Sequence, residues 1–227
     1  LFYTSSNFSF QKNLEKWKVK YSFDFFKSSK LRSDLIDAKN NKVLLKSGER
    51  LTAILDKKFT EAGLKEILVT DEFLLGKYLH KSFKKQNTNE IIFDIGTEIT
   101  PEVLSKVKED DPNILSVVDT DPINKGPYMI NTLVADKNAN KEDALSDIYR
   151  VLRPGEPPTP EIANEIFNNL FFDQDRYDLS DVGRVKMNAR LRIKTKDNIT
   201  ILRKDDIIEI IKMMLLLRDG KEEVDDI

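Results

Sequence analysis

The chain contains no cysteine, and of its 227 residues only one is histidine and one is tryptophan. Without cysteine there is neither a disulfide framework nor a thiolate metal site, which suits a reducing compartment inside the cell. With His80 as the single histidine, a zinc site or a Ser/His/Asp triad would lack the side chains it needs. His80 lies in a lysine-rich stretch, where a surface residue is a simpler interpretation than a catalytic base.

Glycine is also scarce, with eight residues, and neither a Gly-x-x-x-x-Gly-Lys nor a Gly-x-Gly-x-x-Gly segment is present. The sequence therefore offers none of the common phosphate-binding loops. No signal peptide is recognisable, and the most apolar run, residues 207–217, contains Glu209 and Lys212. That run is shorter than the ~20 residues that a membrane-spanning helix needs, so we expect no membrane association. Because the first residue is Leu1, we expect a piece cut from a larger protein.

Paired acidic residues are the remaining candidates for metal ligands. The pairs are Asp110-Asp111, Asp205-Asp206, Glu222-Glu223 and Asp225-Asp226. Asp205-Asp206 suits the positive end of a helix, and the last two pairs suit a solvated terminus. A Mg²⁺ site is the weaker interpretation, and we predict no cofactor in this chain.

The overall composition is that of a globular chain, with 40% hydrophobic and 33% charged residues. Its formal net charge of −2 indicates no partner. A role in nucleic-acid binding would therefore have to come from a local patch of charge.

Residues 1–40 are rich in aromatic side chains, several of which alternate with polar residues. Examples are Phe8-Ser9-Phe10 and Tyr21-Ser22-Phe23-Asp24-Phe25. Such alternation predicts strands. Aromatic residues that fill a sheet core are a simpler interpretation than a platform for stacked bases.

Residues 41–130 contain a weak internal repeat. Val43–Gly48 followed by Leu51-Thr52 recurs as Ile91–Gly96 followed by Ile99-Thr100. Each copy continues through a helical stretch into a short apolar strand, and Thr100-Pro101 is a typical helix start. We predict two strand–turn–helix–strand modules, near residues 41–85 and 89–130.

From Asn138 the pattern changes to helices and loops. Apolar residues at helical spacing predict a helix that ends before Arg153-Pro154, and Thr159-Pro160 predicts the start of the next one. A last helix is predicted from Asp205-Asp206 to Gly220. Since that helix is apolar nearly all round, we predict that it forms the centre of a core.

The strongest local charge signal lies between Arg184 and Lys204, where eight basic residues accompany the single acid Asp197. Within it, cations alternate with other residues at Arg190, Arg192, Lys194 and Lys196, so a strand or hairpin would place four positive groups on one face. Such a row can follow a phosphate backbone. It can equally be the solubilising outer face of an edge strand, and both interpretations stay open. The predicted fold class is therefore α+β: a duplicated strand–turn–helix–strand insertion module, followed by a mostly helical portion with a basic β-hairpin or strand.

A family resemblance rests on the segment Ile148–Thr159, Ile-Tyr-Arg-Val-Leu-Arg-Pro-Gly-Glu-Pro-Pro-Thr. Further matching segments are Gly126–Tyr128, Asn169–Phe172, Asp175–Ser180, Val182–Arg184, Lys204–Ile208, Arg218–Lys221 and Val224–Ile227. Together these residues resemble the lobe domain of bacterial RNA polymerase β subunits, densely over residues 126–227. Residues 1–125 resemble the part of the lobe where family members vary most, an insertion found in some lineages. Residues 190–200 depart from the family pattern, so the basic stretch inherits no known role.

The resemblance implies a part of DNA-directed RNA polymerase, a nucleotidyltransferase whose catalytic Mg²⁺ is bound in another subunit, with no catalytic residue in this chain. It implies a jaw of the main cleft beside downstream DNA and the non-template strand, and it implies that Arg153 and Arg176 are placed towards the non-template strand. The implied partners are DNA, the β′, α and ω subunits and σ factor, in the bacterial cytoplasm at the nucleoid. From the residues alone, Arg153 would be a helix C-terminal cation and Arg176 an ion-pair partner of Asp173 or Asp178. A docking scaffold for σ or other transcription factors, without direct DNA contact, is the alternative function.

Overall fold

The computed structural model describes residues 1–26, 30–85, 88, 90–110, 114–121 and 125–224. They form two compact units, unit 1 (Leu1–Pro127) and unit 2 (Tyr128–Ile227). Asp111, Asp225 and Asp226, named above as members of acidic pairs, lie outside the described residues. No helix in the described part of the chain is long and apolar enough to cross a membrane.

Unit 1 is built around an antiparallel sheet. The strands of the unit are β1 (Ser5–Gln11), β2 (Lys16–Lys20), β3 (Leu35–Asp37), β4 (Val43–Leu45), β5 (Glu66–Val69), β6 (Phe83–Lys84), β7 (Ile91–Phe93) and β8 (Leu115–Val118). The helices of the unit are α1 (Ala53–Glu61), α2 (Asp71–Leu74) and α3 (Pro101–Glu109). Six strands pair in the order β4-β3-β5-β2-β1-β8, and β6 pairs with β7. The core lies beneath this sheet, where Trp17, Ile67 and Leu79 are fully buried.

The predicted duplication is confirmed. The two copies are β4–α1–β5 and β7–α3–β8, and they flank the central hairpin because β5 pairs with β2 and β8 with β1. Corresponding threonines begin the two helices: Thr52 accepts from the Leu55 N–H at 3.4 Å, and Thr100 from the Val103 N–H at 3.3 Å. The turns also match, since Gly48 and Gly96 have φ of 85° and 79°, a region that glycine adopts without strain.

The strand predicted over Tyr21–Phe25 is wrong, whereas that around Phe8–Phe10 is confirmed as β1. Residues Phe23–Phe25 form a 3-10 turn after the end of β2. Alternation would send neighbouring aromatic rings to opposite faces of a sheet. Instead, Phe25 and Phe26 both pack on Phe73, with ring centroids 5.7 and 5.8 Å away, so contact with one partly buried ring outweighs the alternating pattern.

Unit 2 is helical in its described residues. Its helices are α4 (Tyr128–Ala135), α5 (Lys141–Leu152), α6 (Pro160–Phe171), α7 (Ser180–Leu191) and α8 (Lys204–Arg218). The predicted end of α5, start of α6 and extent of α8 are confirmed, and with unit 1 the α+β class is confirmed. The prediction that α8 forms the centre of a core is wrong, because Asp206 is its only buried residue and Met214 is 61% exposed.

Candidate nucleic-acid interface

Arg153 lies directly after α5, at the position that ends the helix. Its backbone N–H donates to the Tyr149 carbonyl at 2.8 Å, the last hydrogen bond of the helix. Its side chain is 57% exposed, and its guanidinium is 3.9 Å from the Glu156 carboxylate. The position at a helix C-terminus agrees with the interpretation made from the residues alone, yet most of the cation faces water.

The loop after Arg153 is held against α5 by one buried side chain. Tyr149 is 4% exposed, and its hydroxyl donates to Glu156 at 2.8 Å. This hydrogen bond to a carboxylate raises the pKa of Tyr149. Because Pro154, Pro157 and Pro158 also restrict the backbone, Arg153 projects from a stiff segment.

Arg176 lies in the turn that follows α6, and its side chain is exposed. The predicted alternative, an ion pair with Asp173 or Asp178, is not formed in the described residues. Both carboxylates accept instead from the backbone two residues ahead, Asp173 from the Asp175 N–H and Asp178 from the Ser180 N–H, each at 2.9 Å. Each acid thus closes a local turn of the backbone. The Arg176 guanidinium has no hydrogen-bonded or ionic partner within the described chain.

Arg153 and Arg176 are at opposite ends of one helix pair. Helices α5 and α6 pack together around Leu145, Tyr149 and Ala163, and the short connection between them makes an antiparallel αα-hairpin. The end of α5 therefore lies beside the start of α6, whereas Arg176 follows the end of α6. Twelve residues of α6 span about 18 Å, roughly five steps of a stacked nucleic-acid strand.

The basic strand or hairpin predicted over residues 190–196 is wrong. Helix α7 continues to Leu191, and Arg192 ends it in a left-handed conformation with φ of 57°. Residues 193–199 are irregular. The sequence Val-Lys-Met-Asn-Ala-Arg-Leu before the end of α7 contains good helix formers, and these extend the helix into the first part of the alternating pattern.

The four predicted cations are consequently divided. Arg190 and Arg192 both approach the largely buried carboxylate of Glu222, at 3.9 and 2.7 Å. Arg190 also donates to the Glu223 carbonyl. These two arginines fasten the segment after α8 to the end of α7.

Lys194 and Lys196 are exposed on either side of the buried Thr195. Thr195 is held by two neighbours: its hydroxyl accepts from Arg203 at 3.0 Å, and its carbonyl accepts from Asn188 at 2.6 Å. Exposed and buried side chains therefore alternate over these three residues as the sequence pattern predicted, but the segment is an irregular loop and not a strand. Neither lysine side chain contacts an acid among the residues that the structure describes.

Arg184 belongs to the same basic stretch, but its role was missed by the sequence analysis. Its side chain is fully buried, as is that of Asp206, and the two form an ion pair at 2.9 Å. The guanidinium also donates to the carbonyls of Ile199 and Ile201. Arg184 thus organises the loop that carries Lys194 and Lys196. The motif Val182-Gly183-Arg184 indicated that Arg184 is important, but it did not indicate that the side chain is buried.

The chain is similar to one protein family and to individual proteins of known identity. Residues 102–227 match the model for RNA polymerase Rpb2, domain 2. Over 226 residues the chain is 44% identical to a DNA-directed RNA polymerase subunit beta of Rhizobium leguminosarum bv. trifolii, and 43% identical to those of Rickettsia conorii and Rickettsia prowazekii. Each match covers the whole chain but 16% of the relative.

These matches include residues 1–125, so those three subunits contain a counterpart of the region expected to vary among lineages. Its variability, and the domain boundary near residue 125, stay predictions. The family model covers more than half of the chain and includes the segments on which the resemblance was based. The chain therefore belongs to the RNA polymerase Rpb2, domain 2 family and is a fragment of a bacterial RNA polymerase β subunit.

Proposed function

We propose that unit 2 forms part of the wall of the DNA cleft of a transcribing RNA polymerase, where Arg153 and Arg176 contact downstream DNA and the non-template strand. The observation that carries the proposal is that the guanidinium of Arg176 is exposed and has no acidic partner in the described residues, although Asp173 and Asp178 lie close by in the chain. A planar guanidinium pairs with phosphate and stacks on unpaired bases. The spacing along the αα-hairpin suits two separate contacts on one strand.

The remaining predicted residues take different parts in this proposal. Lys194 and Lys196 add exposed positive charge beside the same cleft, whereas Arg190 and Arg192 would have to leave Glu222 before meeting DNA. The proposed partners are DNA, the β′, α and ω subunits and σ factor, in the cytoplasm at the nucleoid. The described residues contain no group of three His, Asp or Glu side chains that could hold a metal ion.

Replacing Arg153 and Arg176 with alanine in the complete polymerase is expected to shorten the lifetime of open promoter complexes. Each lost phosphate contact should also lower the salt dependence of the complex, by roughly 0.9 in the log–log slope. Lifetimes measured after a heparin challenge, at several salt concentrations, check this expectation.

The matched control is the pair K137A/K141A, which removes two exposed lysines from the same unit. Equal lifetimes for the wild-type polymerase and the R153A/R176A variant would remove both arginines from the interface. A loss of the same size in the control would instead show that only the overall charge of the unit matters.

A second candidate, protein docking, is supported by apolar side chains on α5. Ile148, Val151 and Leu152 lie on one face, one helical turn apart, and are 36%, 81% and 46% exposed. Exposed apolar surface of this kind is typical of protein interfaces. In this proposal another part of the polymerase, or σ factor, covers the stripe.

Replacing Val151 with lysine is expected to weaken that association roughly tenfold, the equivalent of about 1.4 kcal/mol, because a charge would enter an apolar contact. Titration of labelled σ factor, and separately of β′, against polymerase assemblies with and without V151K measures the change in affinity. Ile54→Lys is the control, since Ile54 is 82% exposed on α1 of the other unit. Unchanged affinities for V151K would contradict the docking role.

A further inference from the structure

Unit 1 carries a basic surface that the sequence analysis did not single out. It lies on the segment around β3 and β4, residues 30–50, which we name the first hairpin. Six cations and three acids occur in it. The cations are Lys30, Arg32, Lys39, Lys42, Lys46 and Arg50, and all six are exposed.

The acids of the first hairpin do not neutralise these cations. Asp34 accepts from the Ser47 N–H at 2.7 Å, Asp37 from the Lys39 N–H at 2.9 Å, and Glu49 from the Lys46 N–H at 2.7 Å. Asp37 and Glu49 thus shape local turns of the backbone, whereas Asp34 links the two ends of the hairpin. Within the described residues none of the six cationic side chains has a hydrogen-bonded or ionic partner, so the positive charge faces solvent.

Two of the cations are placed where they repel each other. Lys30 and Arg50 are direct partners in an antiparallel bridge. Like charges directly opposite each other on neighbouring strands destabilise the pairing. A polyanion bound at this edge would relieve that repulsion.

The internal duplication supplies a control for whether the fold needs this charge. The equivalent segment of the second module, residues 78–98, is named the second hairpin, and its positions are offset by 48 residues, as Gly48 and Gly96 show. The hydrogen bonds correspond: Leu31 N–H to Glu49 carbonyl and Leu79 N–H to Thr97 carbonyl measure 2.8 and 3.0 Å. The bridge Lys30–Arg50 likewise corresponds to Tyr78–Glu98.

At three of the six equivalent positions the second hairpin carries the opposite charge. Lys42, Lys46 and Arg50 correspond to Glu90, Asp94 and Glu98, which are also exposed. The same backbone is therefore built with acids at these positions. These three cations are therefore not required by the fold, and their presence around the edge strand β4 calls for a different explanation.

We propose that the first hairpin binds the phosphate backbone of a nucleic acid, through Lys42, Lys46 and Arg50 together with the neighbouring cations. A phosphate backbone fits because it is a long polyanion that exposed lysine and arginine contact without reading sequence. The second hairpin, with its acids, does not take part. This surface lies in unit 1 and is independent of Arg153 and Arg176.

The test places a photocrosslinking amino acid on each hairpin in the complete polymerase. Val43 and Ile91 are equivalent positions, 43% and 53% exposed, where an apolar crosslinker replaces an apolar side chain. With radiolabelled DNA, position 43 is expected to crosslink to DNA with a yield that falls as salt rises, whereas position 91 gives no such product.

Charge variants then test the cations themselves. K42E/K46D/R50E introduces the residues of the second hairpin and should abolish the DNA crosslink from position 43. The log–log salt slope of the polymerase–DNA dissociation constant should fall by roughly 2.7, about 0.9 for each of three contacts. K81E/K84E/K85E is the matched control, since it makes the same change of charge at exposed lysines of the second hairpin.

Three results would overturn the proposal: no DNA crosslink from position 43, a crosslink from that position to a protein subunit instead of DNA, or an equal loss of DNA binding in the control. The second result would assign the surface to an acidic protein partner. Circular dichroism and the yield of assembled polymerase distinguish a misfolded variant from one that has lost only its contacts.

Discussion

Replacing Arg184 with methionine is expected to lower the free energy of unfolding of unit 2 by about 3–5 kcal/mol. Arg184 and Asp206 are both fully buried and ion-paired. Removing the guanidinium would leave the Asp206 carboxylate buried without a counter-charge, and the Ile199 and Ile201 carbonyls without their donor. Since small domains are stable by only 5–15 kcal/mol, this loss would be a large part of the total.

Two optical probes allow unit 2 to be followed in the whole chain. Trp17, the single tryptophan, lies in unit 1, so its fluorescence reports that unit, whereas far-UV circular dichroism is dominated by the helices. In urea, the dichroism transition of R184M should move down by roughly 2 M for a slope near 2 kcal/mol per M. The fluorescence transition should stay in place.

The control for this variant is Lys186→Met, two residues further along α7 and exposed. A surface substitution of this kind changes stability by about 0.5 kcal/mol or less. The double variant R184M/D206L should recover part of the lost stability. A buried ion pair can often be replaced by apolar residues, whereas removal of one partner alone leaves the other charge buried and unpaired. Equal urea midpoints for R184M and K186M would show that the ion pair does not support unit 2.

Replacing Trp17 with alanine is expected to destabilise unit 1 by about 3–5 kcal/mol. Trp17 is fully buried on β2, which pairs with β1 on one side and β5 on the other. Its ring packs against Phe10, with centroids 5.0 Å apart, and its indole N–H donates to Asp71 at 2.9 Å. The cavity would thus open in the centre of the sheet, where few neighbours can move to fill it.

Hydrogen exchange measured by mass spectrometry checks this second expectation without tryptophan fluorescence. Amides of β1, β2 and β5 should exchange faster in W17A, while those of unit 2 keep their protection. Leu14→Ala, at a position 42% exposed in the turn between β1 and β2, serves as the control and should cost far less. If the amides of these strands exchange at the same rate in W17A and in L14A, the indole does not anchor the sheet.

Local signals in the sequence were sufficient for much of the fold. Thr100-Pro101 and Thr159-Pro160 predicted helix starts that the structure confirms, because a threonine cap and a proline in the first turn depend on adjacent residues alone. The repeat of Val43–Gly48 in Ile91–Gly96 likewise predicted the duplicated module. Capping, turn formation and repetition depend only on residues that are adjacent in sequence, so they can be predicted without knowing the rest of the molecule.

Features that depend on distant contacts were not predictable in this way. The alternation from Arg190 to Lys196 predicted a strand, but no strand among the residues that the structure describes pairs with it, and the helix before it continues. Whether a cation is free was equally hidden: Arg192 meets Glu222, thirty positions away, and Arg184 is buried against Asp206. The positive surface of the first hairpin was overlooked because its cations are dispersed over 21 positions that also include three acids.

The sequence by itself determined the family, the α+β class, the duplication and those helix ends that a cap, a proline or a glycine marks, since each of these follows from short segments with a physical meaning of their own. Only the tertiary structure decided which charges are available to a partner. It buries Arg184, pairs Arg190 and Arg192, and turns the acids of the first hairpin towards their own backbone. The reason is that charge is a property of a residue, whereas its neutralisation depends on groups that folding brings within a few ångströms.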